Sequence, residues 1–106
     1  MNLYREERSA PGVIILKDDV NSYDWIEYCY LSAIDGFGAK SGKIRSGHTS
    51  TITLTDINGA YVATMKMQMS VNTVTIISNN RLNLVSREIE DIQSIIIVEI
   101  NGLRNT

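Results

Sequence analysis

The sequence predicts a single mainly β domain. Two observations carry that prediction. Over residues 51–55 and again over 61–71 polar and apolar residues alternate with a period of two, the pattern of strands with one buried face. Asparagine-rich pairs then punctuate the apolar runs at the spacing of tight turns, the strongest being Asn58-Gly59, because both residues tolerate positive φ. The 106 residues suffice for one domain, which at this size buries roughly 60–70% of its unfolded surface.

Residues 1–12 are polar and charged and end in Ala10-Pro11-Gly12, where the only proline marks a break; they read as a flexible N-terminal arm ahead of a single β domain over residues 13–106. Residues 13–16 form a short apolar run that stops at Lys17-Asp18-Asp19, as a buried strand would. Residues 20–35 are ambiguous. Their aromatic content favours a strand, whereas Asp24 with Glu27 imitates a helix capping box and Ile26, Tyr30, Ala33 and Ile34 fall on one helical stripe. Strand is the preferred reading. Residues 36–50 hold four of the seven glycines and read as a mobile loop with a short paired piece around Lys43 and Arg45.

The second half reads as five strands. Ile52 and Leu54 alternate with Thr51, Thr53 and Thr55. From 61 to 71 Tyr61, Ala63, Met65, Met67, Met69 and Val71 share one face. Eleven residues exceed the usual ~5–6 of a strand, so a bend is expected. Asn72 turns the chain into a strand over 73–78, and Asn79-Asn80 into another over 81–86. Residues 87–92 break the alternation and suit a single 3₁₀ turn. The last strand, 94–100, is apolar on both faces at 95–98 and ends at Asn101-Gly102.

A long second strand, tight turns after it and a 3₁₀ break before the last strand resemble the SH3-like, Sm-like small β-barrel, with residues 51–100 as the barrel core. The closing phrase Arg87-Glu88-Ile89-Glu90-Asp91-Ile92-Gln93-Ser94-Ile95 is similar to the ending of small bacterial barrels of the Rof family of Rho inhibitors and of YolD-like proteins. Ser22-Tyr23-Asp24-Trp25-Ile26-Glu27 followed by Cys29 looks like the acidic N-terminal helix of Rof. The resemblance implies a fold and a cytoplasmic regulatory binding role. The glycine-rich stretch 36–50 has no counterpart in Rof, and Hfq-type RNA-binding signatures are absent.

Composition narrows the function classes. The formal charge is −2 and the pI about 5.3, against strong nonspecific DNA binding. One cysteine, Cys29, permits no intrachain disulfide. No apolar run approaches the ~18 residues of a membrane span, so a cytoplasmic protein without membrane association is expected. The charge is uneven: Lys40, Lys43 and Arg45 lie in residues 36–50 without an acid, while residues 1–35 carry seven acids and three bases.

No catalytic constellation emerges. The glycines and Lys43 fail the phosphate-loop spacing, and Ile44 stands where Ser or Thr would reach Mg²⁺. One His and one Cys cannot build a metal cage of the usual N/S type, and Ser46, His48 and Asp56 lack an orienting group and an oxyanion hole. No enzyme, cofactor or metal is expected. Met65, Met67 and Met69 read as core filling. Glu88, Glu90 and Asp91 read as a solvated acidic rim, with a patch for a basic partner as the sharper alternative.

The candidate contact residues are Trp25, Tyr28, Phe37, Lys40, Lys43 and Arg45. Five of the seven aromatics fall between residues 23 and 37. Rings beside bases make an anchor for a protein partner or a stacking platform for RNA or other single-stranded nucleic acid; rings that cover an open end of the core are the plainer alternative. Because net charge is negative, the expected function is a non-enzymatic protein-protein interaction module. The alternatives are a self-assembling structural subunit of viral or phage type, homo-oligomeric through edge strands, and a single-stranded nucleic-acid binder.

Overall fold

The computed structural model describes residues 1–56 and 58–104. Its strands, in chain order, are β1 (Asn2–Tyr4), β2 (Gly12–Ile15), β3 (Trp25–Ser32), β4 (Ala39–Arg45), β5 (Ser50–Thr55), β6 (Tyr61–Ser70), β7 (Thr73–Asn83), β8 (Ile89–Glu90) and β9 (Ile95–Leu103). They form two antiparallel sheets. The first has the order β1-β9-β3-β4, the second β2-β7-β6-β5, with β8 also paired to β7. The sheets bury their facing sides in one core and do not close into a barrel, so the mainly β expectation holds in an open, two-sheet form.

Alternation decides which side chains enter that core. β3 buries Ile26, Tyr28, Tyr30 and Ser32 and leaves Trp25, Glu27, Cys29 and Leu31 half-exposed on the outer face. β6 buries Ala63, Met65, Met67 and Met69, as the methionine stripe predicts. Each large apolar side chain so buried contributes about 1.5–3 kcal/mol before its ordering entropy is counted.

A bulge in β7 and another in β9 then shift the phase. In β7 the pairing passes from Ser78 opposite Lys66 to Ile76 opposite Met67, which leaves Ile77 unpaired and exposed. Val74 and Ile76 face inward before the bulge, Asn79 after it. In β9 Ile97 pairs with Tyr30 and Glu99 with Cys29, so Val98 is the extra residue. Ile95 and Ile97 face the core on one side of it, Ile100 and Gly102 on the other. A bulge costs one ladder pair and reverses the inward parity of all that follows.

Several expectations are corrected. Residues 1–12 are not an arm apart from the β domain but are paired into it. Leu3 is fully buried, β1 pairs with β9, and Arg8 exchanges two backbone hydrogen bonds with Ile97 (2.8 and 2.9 Å). Residues 36–50 are not one mobile loop, because β4 runs along the whole of β3 from Leu31 opposite Ala39 to Trp25 opposite Arg45. Asn79-Asn80 is not a turn. It lies inside the eleven-residue β7, and the Asn79 amide donates to Ser9 O and Ile95 O, both at 2.8 Å. Residues 87–92 contain β8 instead of a 3₁₀ turn, and β9 continues past Asn101-Gly102 to Leu103. Gly102 is kept inside the strand by packing: a Cβ there would stand 2.5 Å from Cγ of Tyr23, whose ring covers it. Residues 13–16 supply most of β2, but the strand is not buried as a whole: Ile14 and Leu16 face the core while Val13 and Ile15 are exposed. Residues 20–35 contain a strand, flanked by 3₁₀ turns at Val20–Ser22 and Ala33–Asp35, and the Asn58-Gly59 and Asn72 turns form.

Two outcomes follow from the core. The Tyr28 side chain is 2% exposed, and its hydroxyl has no hydrogen-bond partner among the described residues. Tyr28→Phe is therefore expected to raise stability by about 1 kcal/mol in urea denaturation. Burial holds the Tyr28 phenol well above its ordinary value of 10.0. The native state keeps this proton where the unfolded chain loses it, so the contribution is complete below pH 10.0 and falls as pH rises. Tyr28→Phe should flatten that alkaline decline, leaving the shares of Tyr4 and Tyr23, whose burial also raises them. Asn79→Ala strands two backbone carbonyls and should cost about 2–3 kcal/mol, and Asn79→Asp more, since it sets a carboxylate against both.

Candidate functional site

β4 is an edge of the first sheet, and the register sorts the predicted contact residues by face. Trp25 stands opposite Arg45, and Glu27 opposite Lys43, on the outer face. The Arg45 guanidinium lies 4.9 Å from the centroid of the Trp25 ring. Such a contact at an exposed site is worth about 0.5–1 kcal/mol and holds the cation flat on the sheet. Tyr28 and Lys40 fall on the inner side, opposite Gly42 and Tyr30 respectively, Lys40 half-buried at the rim. The structure thus brings Trp25, Lys43 and Arg45 together and separates them from Tyr28, which is a core ring.

Phe37 sits in the turn between β3 and β4. Its backbone N–H donates to Ser32 O at 2.9 Å, its φ is +59°, and its side chain is 57% exposed. Positive φ in a bulky residue is strained, and an exposed phenyl gains nothing from burial in return. Of the aromatic cluster, Tyr23, Tyr28 and Tyr30 are buried, so a stacking platform would retain only Trp25 and Phe37.

Between β4 and β5, the two edges on this side, lies an open pocket of about 260 Å³. Tyr28 and Tyr30 line it with Gly42, Lys43 and residues 50–53. A Cβ at Gly42 would meet nothing within 4 Å, so packing does not require a glycine there.

A polar network next to Trp25 escaped sequence reasoning. On the outer face Asn2 Nδ2 donates to Glu99 Oε1 (3.0 Å) and Asn101 Oδ1 (3.2 Å), and Asn101 Nδ2 donates to Glu27 Oε1 (3.1 Å). Arg5 reaches the same Glu99 oxygen at 3.4 Å. Cys29 lies between the two carboxylates, its thiol 3.9 Å from Glu27 Oε1. The one legible signal was the alternation Trp25-x-Glu27-x-Cys29; its partners come from β1 and β9, which local pattern cannot supply.

Partial burial pushes the Cys29 thiol up first, followed by the charges of Glu27 and Glu99 and the hydrogen bond to Glu27. The thiolate is the nucleophile, so each of these influences lowers the thiol's reactivity. No group of three or more His, Cys, Asp or Glu among the described residues could hold a metal ion. His48 is exposed and lies before β5, whereas Asp56 follows it, so the six-residue strand separates them. Ser46 Oγ is occupied, donating to Tyr23 O at 2.7 Å. Among the described residues no helix is long and apolar enough to cross a membrane.

Cys29 alkylation by iodoacetamide should accordingly follow a pH–rate profile displaced to higher pH than that of a free cysteine. Glu27→Gln should move the profile back towards neutrality; an unmoved profile would mean that the carboxylate does not act on the thiol.

No protein family matches the chain, and no curated protein matches it.

Proposed function

We propose that this chain is a non-enzymatic recognition module that takes an extended, acidic segment of a protein partner along β4. The observation that carries the reading is the character of that edge. β4 has seven residues, is exposed over most of its length, carries Lys40, Lys43 and Arg45, and contains no acid. An open edge offers a row of backbone donors and acceptors to an incoming strand. Basic side chains on such an edge discourage indiscriminate pairing, and the same charges favour an acidic strand. Trp25, with Arg45 laid over it, and the exposed Phe37 supply the apolar anchors that interfaces concentrate their energy in.

The resemblance of residues 87–95 to the endings of Rof and YolD-like small barrels supports a regulatory role in the cytoplasm, exerted by occupying a partner's surface. The antiparallel series β5-β6-β7 is the part of the fold that falls within the residues of that resemblance.

Fluorescence anisotropy with a labelled peptide of alternating Glu and Val tests the reading. Wild type should bind, more weakly as salt rises. Lys43→Glu/Arg45→Glu should weaken binding at least about tenfold, equivalent to roughly 1.4 kcal/mol. Equal binding by wild type and variant sinks the assignment to β4. Preference for a labelled single-stranded oligonucleotide over the peptide would replace it with the nucleic-acid reading.

A further inference from the structure

We propose that the acidic segment taken by β4 is the β7–β8 hairpin of a second copy of this chain, so that copies join head to tail. The inference rests on the reading of β4 given above and names its partner. The first observation is the composition of the hairpin. Residues 84–92 hold Glu88, Glu90 and Asp91 against the single base Arg87, and Glu88 and Asp91 are exposed. Between these charges stand Leu84, Val85, Ile89 and Ile92, all exposed, Val85 at 87% and Ile89 at 73%. This is the one stretch of the described residues in which exposed large apolar side chains and carboxylates interleave.

The hairpin is also built rather than loose. Asn83 Oδ1 accepts from Val85 N (3.0 Å) and Ser86 N (3.2 Å), and Asn83 O accepts from Arg87 N (2.7 Å). Glu90 is pinned to Arg81 at 2.8 Å. Arg87 at its tip has φ +61°. Apolar residues displayed on a hydrogen-bonded turn lose little further freedom on docking.

The second observation is position. β8 adds to the side of β7 that β2 occupies, away from β6, and Lys17 N donates to Leu3 O (3.0 Å) to join β2 and β1 on that side. β4 and β5 face each other across the pocket on the opposite side. The basic edge and the acidic hairpin therefore lie on opposite flanks, out of reach of each other within one copy and aligned between copies.

Charge excludes the symmetric alternatives. Pairing β4 with β4 sets Lys43 and Arg45 against like charges, and pairing two hairpins opposes their carboxylates. Only the heterologous contact, β4 of one copy against β8 of the next, matches basic with acidic side chains and gives Phe37 an apolar counterpart in Val85 and Ile89. Such a contact propagates into rings or filaments instead of closing as a dimer.

Light scattering across concentration tests this with four samples: wild type, Lys43→Glu/Arg45→Glu, Glu88→Lys/Asp91→Lys, and an equal mixture of the two variants. All four substitutions are at exposed positions, and circular dichroism checks the fold. Mean mass should rise with concentration for wild type and less so at high salt. Each variant alone should stay monomeric, and the mixture should recover association, because the acidic edge of one then meets the basic hairpin of the other. Wild type that is monomeric at about 1 mM in low salt overturns the inference, and so does a mixture that fails to recover. If the acidic peptide still binds wild type and not Lys43→Glu/Arg45→Glu, the recognition reading survives and only the second copy as partner falls. Loss of peptide binding as well removes both.

Discussion

The amide of Asn79 ties together three parts of the chain that sequence separates. Its Nδ2 donates to Ser9 O in the N-terminal segment and to Ile95 O at the start of β9, from a position inside β7 in the other sheet. The residue is 1% exposed, and its bond to Ile95 O is made away from competing water, while the one to Ser9 O lies nearer the surface. With it in place the two sheets keep a fixed separation at this point, the N-terminal segment is drawn over β9, and Arg8 meets Ile97. Without it two backbone carbonyls would lie at the join of the sheets with nothing to satisfy them.

Asn79 can reach inward only because Ile77 is bulged out of β7. The bulge at Val98 does the same for β9, bringing Ile100 and Gly102 to the core after Ile95 and Ile97. Gly102 then accepts the ring of Tyr23, whose hydroxyl donates to Asp18 at 2.8 Å and whose face carries the Arg104 guanidinium at 4.9 Å. That donated bond holds the Asp18 carboxyl below its ordinary range. The two bulges place the inward side chains of both sheets in one continuous core, while the unbroken β3–β4 register puts Trp25, Lys43 and Arg45 on the outer face.

The proposed function places recognition at the edges of this scaffold. The flanks present different chemistry: a basic strand beside exposed Phe37 on one side, and on the other a short acidic hairpin with exposed aliphatic side chains. Exposed edges are an aggregation hazard unless charge selects what may pair with them. Here like charges guard each edge against itself, and in the proposed head-to-tail contact that asymmetry would set the direction of association. The polar network of Asn2, Glu27, Glu99 and Asn101 covers the sheet between these flanks, and its carboxylates add to the partial burial that pushes the Cys29 thiol up.

Some of this could be read in the chain itself. The alternation of residues 51–55 and 61–71, the buried methionines, the strand at 13–16, the Asn58-Gly59 turn and the basic stretch of 36–50 are local properties, and local pattern finds them because a strand's two faces are written in its own residues. Pattern failed where a decision was non-local. Asn79-Asn80 has turn chemistry, yet a long-range pair of hydrogen bonds keeps it in a strand. Asn101-Gly102 has it as well, yet Tyr23 packs on the glycine and the strand continues. Residues 95–98 look apolar on both faces because a bulge lies among them. Of the six expected contact residues, sequence placed the bases and rings in one neighbourhood, but only the β3–β4 register put Trp25, Lys43 and Arg45 on one face, Lys40 on the other and Tyr28 in the core. Periodicity belongs to a single strand, whereas register, bulge and edge belong to pairs of strands, and those pairs form only once the chain has folded.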